Sequence, residues 1–280
     1  MGRIVWLNGA VVGEDEARIS PFEHGLMVGD GVFETLSTAH GVPFAWTRHY
    51  LRLERSAAGL GFTVPPSDAL RRAVDALIEA NGLSEARVRI TVTSGPGPLG
   101  SDRGDQGTTA LIAVSEPTRW PETTGVAVVP WVRNERGAVA GLKTISYAEN
   151  VRALAWAKER GASEAIFANT QGRLCEGTGT NVYVVRDGRI QTPPLSSGCL
   201  DGVTRQILLV CCADAGIEVG EVDLPIEALG QADEAFLSSA TRGAQPIARV
   251  DGTPLPAAPG PVTEQLIAAY VDLVERNPDP

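Results

Sequence analysis

Short segments with alternating apolar residues, interrupted by helical segments at irregular intervals, place the strongest limit on the fold of this chain. Strands are predicted near residues 4–7, 10–12, 31–37, 88–93, 110–115, 126–131, 165–169 and 182–186. Helices are predicted over 47–59, 67–80, 148–160 and 202–215. Because the strands are short and the helices do not follow them regularly, the pattern predicts an α+β fold with two subdomains.

A break in this pattern at residues 116–121, Glu-Pro-Thr-Arg-Trp-Pro, indicates the boundary between the subdomains. The chain has 280 residues, which is long enough for one large or two small domains. We therefore predict a small N-terminal α+β domain over 1–118, a linker over 119–125 and a larger α+β domain over 126–280.

The net charge of -10 and the pI near 4.9 argue against nucleic acid as a partner, because an acidic surface repels phosphate backbones. No stretch of about 18 apolar residues is present, and the N-terminus lacks the apolar core of a signal peptide. The four cysteines do not have zinc-ligand spacing, so we expect no metal and reduced thiols in a cytoplasmic protein.

The chain contains only two lysines, and these are the only side-chain amines available for chemistry. Lys143 follows a run of small residues at 137–141 and precedes Thr-Ile-Ser-Tyr, surroundings that can desolvate its amine. A desolvated amine has a lowered pKa and can form a Schiff base. Lys158 lies near a predicted helix C-terminus, where a cation complements the helix dipole at the surface. Lys143 is therefore the candidate catalytic residue.

Three glycine-containing segments could bind phosphate. Residues 95–100 match G-x-G-x-x-G, but Pro96 and Pro98 remove two of the N–H donors, which favours an ordinary loop. Residues 176–181 precede a strand, and taken alone they fit a glycine-rich turn as well as a site. Residues 202–205 begin a predicted helix whose N–H groups can bind a phosphate or serve only as a cap.

Taken together, the motifs resemble those of a known family. In order they are Gly29-Asp30-Gly31-Val32-Phe33-Glu34-Thr35, His49-x-x-Arg52-Leu53-x-x-Ser56, Lys143, Glu176-Gly-Thr-Gly-Thr-Asn181, Gly202-Val-Thr-Arg205 and Phe236-Leu-Ser-Ser239. This order is similar to that of the class IV, fold type IV aminotransferases, which use pyridoxal 5′-phosphate. The resemblance spans about residues 4–252 and implies the two-subdomain fold of D-amino acid aminotransferases.

The resemblance implies that Lys143 forms an aldimine with the cofactor and then moves the proton during transamination. Glu176 would pair with the pyridine nitrogen, which keeps the cofactor an effective electron sink. Arg52 would bind the cofactor phosphate, together with groups of Val203, Thr204, Ser239 and Ala240. Tyr147 is a further candidate for a hydrogen bond to the cofactor. Residues 29–31 would shape the substrate loop, Phe33 would pack under the cofactor, and Glu34 would be structural.

The sequence motifs identify the substrate less clearly than they identify the cofactor. Phe33-Glu34-Thr35 differs from the Phe-Glu-Gly common in branched-chain members. Residues 94–98, Ser-Gly-Pro-Gly-Pro, lie where typical D-amino acid enzymes carry an arginine and histidine clamp for the carboxylate. We expect an aminotransferase acting on an amino acid and a 2-oxo acid, with D-amino acids favoured over branched-chain L-amino acids. Aminodeoxychorismate lyase activity, which gives 4-aminobenzoate and pyruvate, is the alternative.

Other residues could bind the substrate, and the chain is expected to form a dimer. Arg103 or Arg242 could supply the missing carboxylate site, and Leu26, Val28 and Thr241 are further substrate-side candidates. The resemblance also implies a homodimer. A dimeric binding protein that kept the fold without catalysis is disfavoured, because Lys143, Glu176 and Arg52 are all present.

Overall fold

The computed structural model describes residues 2–280 and consists of two units. The first unit comprises residues 2–118, the separate segment Leu142–Tyr147 and Asp279. The second comprises Arg119–Gly141, Ala148–Pro278 and Pro280. Each unit has its own sheet and its own apolar core.

The first unit is a six-stranded antiparallel sheet with order β2-β1-β6-β5-β3-β4 and helices packed against it. Its strands are β1 (Ile4–Leu7), β2 (Ala10–Gly13), β3 (Gly31–Ala39), β4 (Val42–Pro43), β5 (Arg87–Thr93) and β6 (Thr109–Ser115). Its helices are α1 (His24–Met27), α2 (Trp46–Leu60) and α3 (Ser67–Ala80). Alternate residues of the strands bury against α2 and α3, and the core includes Val32, Leu36, Leu53, Leu77, Val88, Ile90 and Ile112.

The first hairpin shows how local sequence sets this sheet. Asn8 and Gly9 adopt φ angles of 47° and 97°, the left-handed backbone that a tight two-residue hairpin turn requires. The turn pairs Leu7 with Ala10 and holds β1 beside β6. The predicted Asn-Gly hairpin is confirmed.

The segment Leu142–Tyr147 belongs to the first unit because it pairs with the edge of β3. Val32 and Thr144 form an antiparallel bridge. The Phe33 N–H donates to the Lys143 carbonyl at 3.0 Å, and the Ile145 N–H donates to the Gly31 carbonyl at 2.9 Å. The sequence interpretation assigned Lys143 to the second domain, whereas these hydrogen bonds attach its backbone to the first unit.

The second unit contains a nine-stranded mixed sheet, ordered β12-β11-β10-β13-β14-β7-β8-β9, with β15 paired to β14. The strands are β7 (Thr124–Arg133), β8 (Glu164–Asn169), β9 (Leu174–Gly177), β10 (Asn181–Arg186), β11 (Arg189–Thr192), β12 (Val219–Glu221), β13 (Glu234–Ser239), β14 (Gly243–Val250) and β15 (Thr253–Pro254). The helices are α4 (Ala148–Lys158), α5 (Val203–Asp214) and α6 (Pro261–Arg276). Strand β7 runs parallel to both β8 and β14.

The predicted α+β class is confirmed, and the predicted helix over 67–80 has the observed bounds. The sequence interpretation did not include helices α1 and α6 or the strands β4, β9, β11, β12, β13, β14 and β15. Helix α6 begins with Pro261 in its first turn directly after Gly260, which is a recognisable helix-start signal. Among residues 2–280, no helix has the length and apolar character needed to cross a membrane.

Candidate active site

In the first unit, Lys143 lies opposite Phe33 and places its amine over the aromatic ring. The Lys143 Nζ atom is 4.4 Å from the centroid of the Phe33 ring. Tyr147 meets the same ring edge-on, with centroids 5.0 Å apart and an interplanar angle of 78°. Phe33 is buried, and its N–H donates to the Lys143 carbonyl, so the lysine backbone is held beside the ring that its amine contacts.

Helix α2 directs His49, Arg52 and Ser56 toward β3 and Lys143, since residues spaced three and four apart share one helix face. The Lys143 N–H donates to Ser56 Oγ at 3.1 Å. Arg52 donates from Nε and Nη2 to the two oxygens of Glu34, at 2.7 and 2.8 Å. The His49 Nδ1 atom lies 2.7 Å from Glu34 Oε2. The motifs predicted from the sequence around Phe33, Arg52 and Lys143 are therefore in direct contact.

Glu34 is buried, and its surroundings decide its charge. Burial alone would raise the pKa of the Glu34 carboxyl, but Arg52 and His49 outweigh burial and hold that pKa well below its usual range. Burial also lowers the pKa of the His49 imidazole, and Glu34 opposes this shift. The Arg52 guanidinium is thus oriented along one edge by an ionised carboxylate.

Arg89 is a residue of this face that the sequence interpretation missed. Its guanidinium carbon lies 3.9 Å from the Phe33 ring centroid, and its strand partner is Thr35. Arg89 is an exposed residue whose pKa is lowered by partial burial of its guanidinium, and its titratable neighbours among residues 2–280 are Tyr147 and Arg87, with no carboxylate among them. Its only sequence signal was polar alternation along β5, which is equally typical of a solvent-facing strand.

The other substrate-side candidates of the first unit lie on exposed segments. Leu26 is 73% exposed and Val28 is 48% exposed. Arg103 donates from Nε and Nη2 to the Asp30 carboxylate, both at 2.7 Å. The guanidinium of Arg103 is therefore occupied by a bidentate ion pair, and its predicted substrate role stays a prediction.

In the second unit, Glu176 lies on β9 with both carboxylate oxygens in contact. Oε2 accepts a hydrogen bond from the Leu200 N–H at 2.8 Å, and Oε1 lies 3.0 Å from Arg133 Nε. The Leu200 carbonyl accepts from Asn181 Nδ2 at 2.8 Å. These contacts join the motif at 176–181 to the segment before α5.

The start of α5 requires a glycine. A Cβ atom at Gly202 would lie 2.0 Å from Asn181 Oδ1, which is far inside contact distance. Val203 and Thr204 follow in the buried first turn, where backbone N–H groups lack acceptors within the helix. This end of α5 therefore has the donors and the dipole that suit an anion.

The turn between β13 and β14 holds the remaining predicted residues, Ser239, Ala240, Thr241 and Arg242. The Arg242 N–H donates to the Ser239 carbonyl at 3.1 Å, and Ser238 pairs with Asn181 in the sheet. The Arg242 guanidinium stacks 3.5 Å from the Trp120 ring centroid, and its Nη2 is 3.9 Å from Glu164 Oε2. The turn thus adjoins the Asn181 segment, while the Arg242 side chain packs within its own unit.

Other reactive groups have structural surroundings. All four cysteines are free and buried, and burial raises the pKa of the Cys199 thiol to about 11. Across residues 2–280, no cluster of three or more histidine, cysteine, aspartate or glutamate side chains could hold a metal ion.

Comparison with known proteins decides the family. Residues 31–250 match the family described as amino-transferase class IV. The chain belongs to this family. Class IV aminotransferases use pyridoxal 5′-phosphate, so the protein is a pyridoxal-phosphate-dependent enzyme of the aminotransferase type.

Relatives of this class IV aminotransferase differ in substrate and reaction. The chain is 30% identical to a D-alanine aminotransferase of Bacillus licheniformis, over 95% of each chain. It is also 30% identical to an aminodeoxychorismate lyase of Bacillus subtilis, over 95% of this chain and 93% of the lyase. A branched-chain aminotransferase from Thermoproteus uzoniensis, crystallised with norvaline, superposes with a TM-score of 0.91 at 31% identity, covering 98% and 95% of the two chains. The fold type IV architecture is confirmed.

The donor chemistry of the two units suits the cofactor. A lysine amine suits an aldehyde, and a carboxylate fixed by two donors suits a pyridinium nitrogen. An oriented arginine and a helix N-terminus suit a phosphate. Lys143 and Arg52 supply the amine and the arginine in the first unit, and Glu176 and the start of α5 supply the carboxylate and the helix N-terminus in the second unit.

Proposed function

We propose that this enzyme transfers an amino group between an amino acid and a 2-oxo acid, with Lys143 as the covalent anchor of the cofactor and the proton carrier. The fixed position of the Lys143 amine over Phe33 carries the proposal. Lys158 is the alternative amine, and it lies in the last turn of α4 in the second unit.

The roles of the remaining residues follow their chemistry. Glu176 pairs with the pyridine nitrogen, and Arg52 binds the phosphate together with Val203, Thr204, Ser239 and Ala240. Tyr147 is a hydrogen-bond partner beside Lys143. When bound, pyridoxal 5′-phosphate supplies an aldehyde for the amine and a ring that accepts electrons from the substrate.

Lys143 carries the proton between two carbons. With the cofactor bound, its Nζ atom would take the proton from the substrate Cα and hold it for return on the cofactor side, and water would then be needed to release the 2-oxo acid. Phe33 packs beneath the amine and excludes water from that side. Proton transfer by a positioned amine requires this fixed geometry.

Arg89 is our candidate for binding the substrate carboxylate. It shares the Phe33 ring with Lys143 and has no carboxylate partner of its own among residues 2–280. A guanidinium binds a carboxylate through two parallel hydrogen bonds. Arg103 already makes such a pair with Asp30, which favours Arg89 for this role.

D-amino acids are the proposed amino donors, and the support comes from the sequence of β3. Phe33-Glu34-Thr35 lacks the Phe-Glu-Gly that is common in branched-chain members. The same Phe-Glu-Thr pattern also occurs in lyase-like members, and a curated relative is an aminodeoxychorismate lyase. Transamination and elimination diverge only after the substrate has bound.

A half-reaction tests the proposal. Purified enzyme loaded with cofactor is mixed separately with D-alanine, D-glutamate, L-leucine and aminodeoxychorismate, and absorbance spectra are recorded. Conversion to the pyridoxamine form by a D-amino acid is the expected result. Conversion by L-leucine alone would contradict the proposed preference for D-amino acids. Release of pyruvate and 4-aminobenzoate with the original spectrum restored would identify a lyase.

A cytoplasmic homodimer is the proposed working form. An exposed apolar patch on the first unit supports a protein partner, and its members Phe22, Leu26 and Leu99 are 51%, 73% and 78% exposed. The Gly97 N–H donates to the Phe22 carbonyl at 3.0 Å, which keeps the segments that carry the patch together. Sedimentation of the purified enzyme at twice the monomer mass is the expected result, and a monomer would contradict it.

A further inference from the structure

We propose that Arg133 is a positioning residue that holds Glu176 in its deprotonated form, so that the proton shared with the cofactor remains on the ring nitrogen. The inference rests on the proposed function, which assigns Glu176 to that nitrogen. No sequence motif includes Arg133, and it lies at the end of β7.

The Arg133 side chain is held on three sides. Its Nε atom lies 3.0 Å from Glu176 Oε1, in an ion pair whose angle is not that of a hydrogen bond. Its Nη1 atom donates to Glu149 Oε2 at 2.6 Å and to Asn150 Oδ1 at 3.0 Å. Its guanidinium carbon lies 4.3 Å from the Phe167 ring centroid. The charge is thereby fixed in place beside Glu176.

These contacts also connect the parts of the second unit that carry the motif. Asn150 donates from Nδ2 to the Thr178 carbonyl at 2.6 Å, so the arginine and the backbone after Glu176 share one partner. Phe167 is the strand partner of Glu176. A displacement of Arg133 would therefore alter both the charge beside Glu176 and the loop that follows it.

Partial burial strengthens the ion pair between Arg133 and Glu176. The Arg133 and Glu176 side chains are 17% and 13% exposed. Charges shielded from water interact more strongly than charges on an open surface. Removing Arg133 would take a cation from beside Glu176, and the hydrogen bond from the Leu200 N–H does not replace that charge.

The charge of Arg133 would decide whether the shared proton lies on Glu176 or on the ring nitrogen of the cofactor. With Arg133 present, the ion pair favours the carboxylate form of Glu176, which would keep the shared proton on the ring nitrogen of the bound cofactor. Without the arginine charge, the carboxylate becomes more basic. Glu176 would then hold the shared proton on one of its own oxygens, and the ring nitrogen of the bound cofactor would be neutral.

The experiment measures the position of this proton. Full-length enzyme is loaded with pyridoxal 5′-phosphate labelled with ¹⁵N in the ring, and nitrogen NMR spectra are recorded for the wild type, Arg133→Met and Arg136→Met. Arg136 is a matched control, because its side chain is 81% exposed and its ion pair is with Glu135 at 4.0 Å. Turnover of the best donor is measured in parallel.

We expect the wild type and Arg136→Met to show a protonated ring nitrogen and Arg133→Met to show a neutral one. The kcat of Arg133→Met should fall by roughly ten- to a hundredfold with little change in KM. Losses of this size follow when a residue that orients a directly binding side chain is removed, as is known for metal sites. A protonated nitrogen in Arg133→Met would overturn the role of Arg133.

Two further results separate the inference from the proposed function. Arg133→Gln keeps a polar contact to Asn150 but lacks the charge, and it should give the neutral nitrogen even where the methionine variant folds poorly. A protonated nitrogen in that variant would also overturn the inference. A wild type that binds the cofactor without any contact of Glu176 to its nitrogen, seen as a neutral ring unchanged in Glu176→Gln, would instead overturn the proposed role of Glu176.

Discussion

The two units present their functional groups in different ways. The first unit uses long cationic side chains, Lys143, Arg52 and Arg89, arranged around the Phe33 ring and Glu34. The second unit uses backbone N–H groups at the start of α5 and one carboxylate, Glu176, fixed by neighbouring donors. We therefore expect side-chain truncation to be most damaging in the first unit and added bulk to be damaging in the second.

Lys143→Ala should produce the largest effect, because it removes both the covalent anchor and the proton carrier. Turnover should fall by roughly a thousandfold or more, and the absorbance of the lysine-linked cofactor should disappear. Lys158→Ala is the matched control and should behave like the wild type. Transamination by Lys143→Ala at the wild-type rate would contradict the assignment.

Glu176→Gln tests the second unit by removing a charge without changing shape. The neutral amide stabilises a proton on the ring nitrogen less well than the carboxylate does. Each pKa unit lost at that nitrogen changes the ratio of protonated to neutral ring tenfold, so kcat should fall by about ten- to a hundredfold while the cofactor remains bound. Steady-state kinetics and the cofactor content of the purified variant measure the two quantities. An unchanged kcat would remove Glu176 from its role.

Arg89→Met tests the first unit on the substrate side. Loss of a charged pair to the substrate carboxylate should raise KM for the amino acid by roughly tenfold, the equivalent of about 1.4 kcal/mol. Arg87→Met is the control on the same strand, since Arg87 donates to Thr118 Oγ1 at 3.2 Å. Equal kinetic effects of the two substitutions would contradict the role of Arg89.

Gly202→Ala tests whether added bulk is damaging in the second unit. The new Cβ would lie 2.0 Å from Asn181 Oδ1 and would displace the Asn181 and Leu200 contacts. Cofactor affinity should fall by about tenfold, close to 1.4 kcal/mol. At Gly179 a Cβ meets no atom within 4 Å, so Gly179→Ala should bind normally. Titration of each apoprotein with cofactor measures the difference.

Acid should weaken the first unit through Glu34. The pKa of Glu34 is lower in the folded protein than its ordinary value of 4.5, so its contribution to stability is complete above that value and is lost as the pH falls below it. The contribution is roughly 1–3 kcal/mol. Denaturant titrations at pH 7 and in mild acid should show a steeper loss for the wild type than for Glu34→Gln, and parallel losses would contradict the Arg52 and His49 pairing.

The sequence predicted one class of features well. Local signals predicted the Asn8-Gly9 hairpin and helix α3, and the small number of lysines singled out Lys143. The motif order identified the family, because it combines several independent segments.

Features that depend on contacts between distant segments escaped the sequence interpretation. The pairing of Lys143 with β3 joins residues more than a hundred positions apart, and no local pattern predicts it. Arg89 and Arg133 lie at ordinary polar positions of strands, and their significance comes only from the Phe33 ring and from Glu176.

Lys143 is assigned here as the amine that carries the cofactor, and borohydride reduction of the loaded enzyme tests that assignment. Enzyme loaded with pyridoxal 5′-phosphate is reduced with borohydride, digested and analysed by mass spectrometry. We expect a phosphopyridoxyl group on the peptide that contains Lys143 and none on the peptide that contains Lys158. The label on Lys158, or on neither lysine, would contradict it.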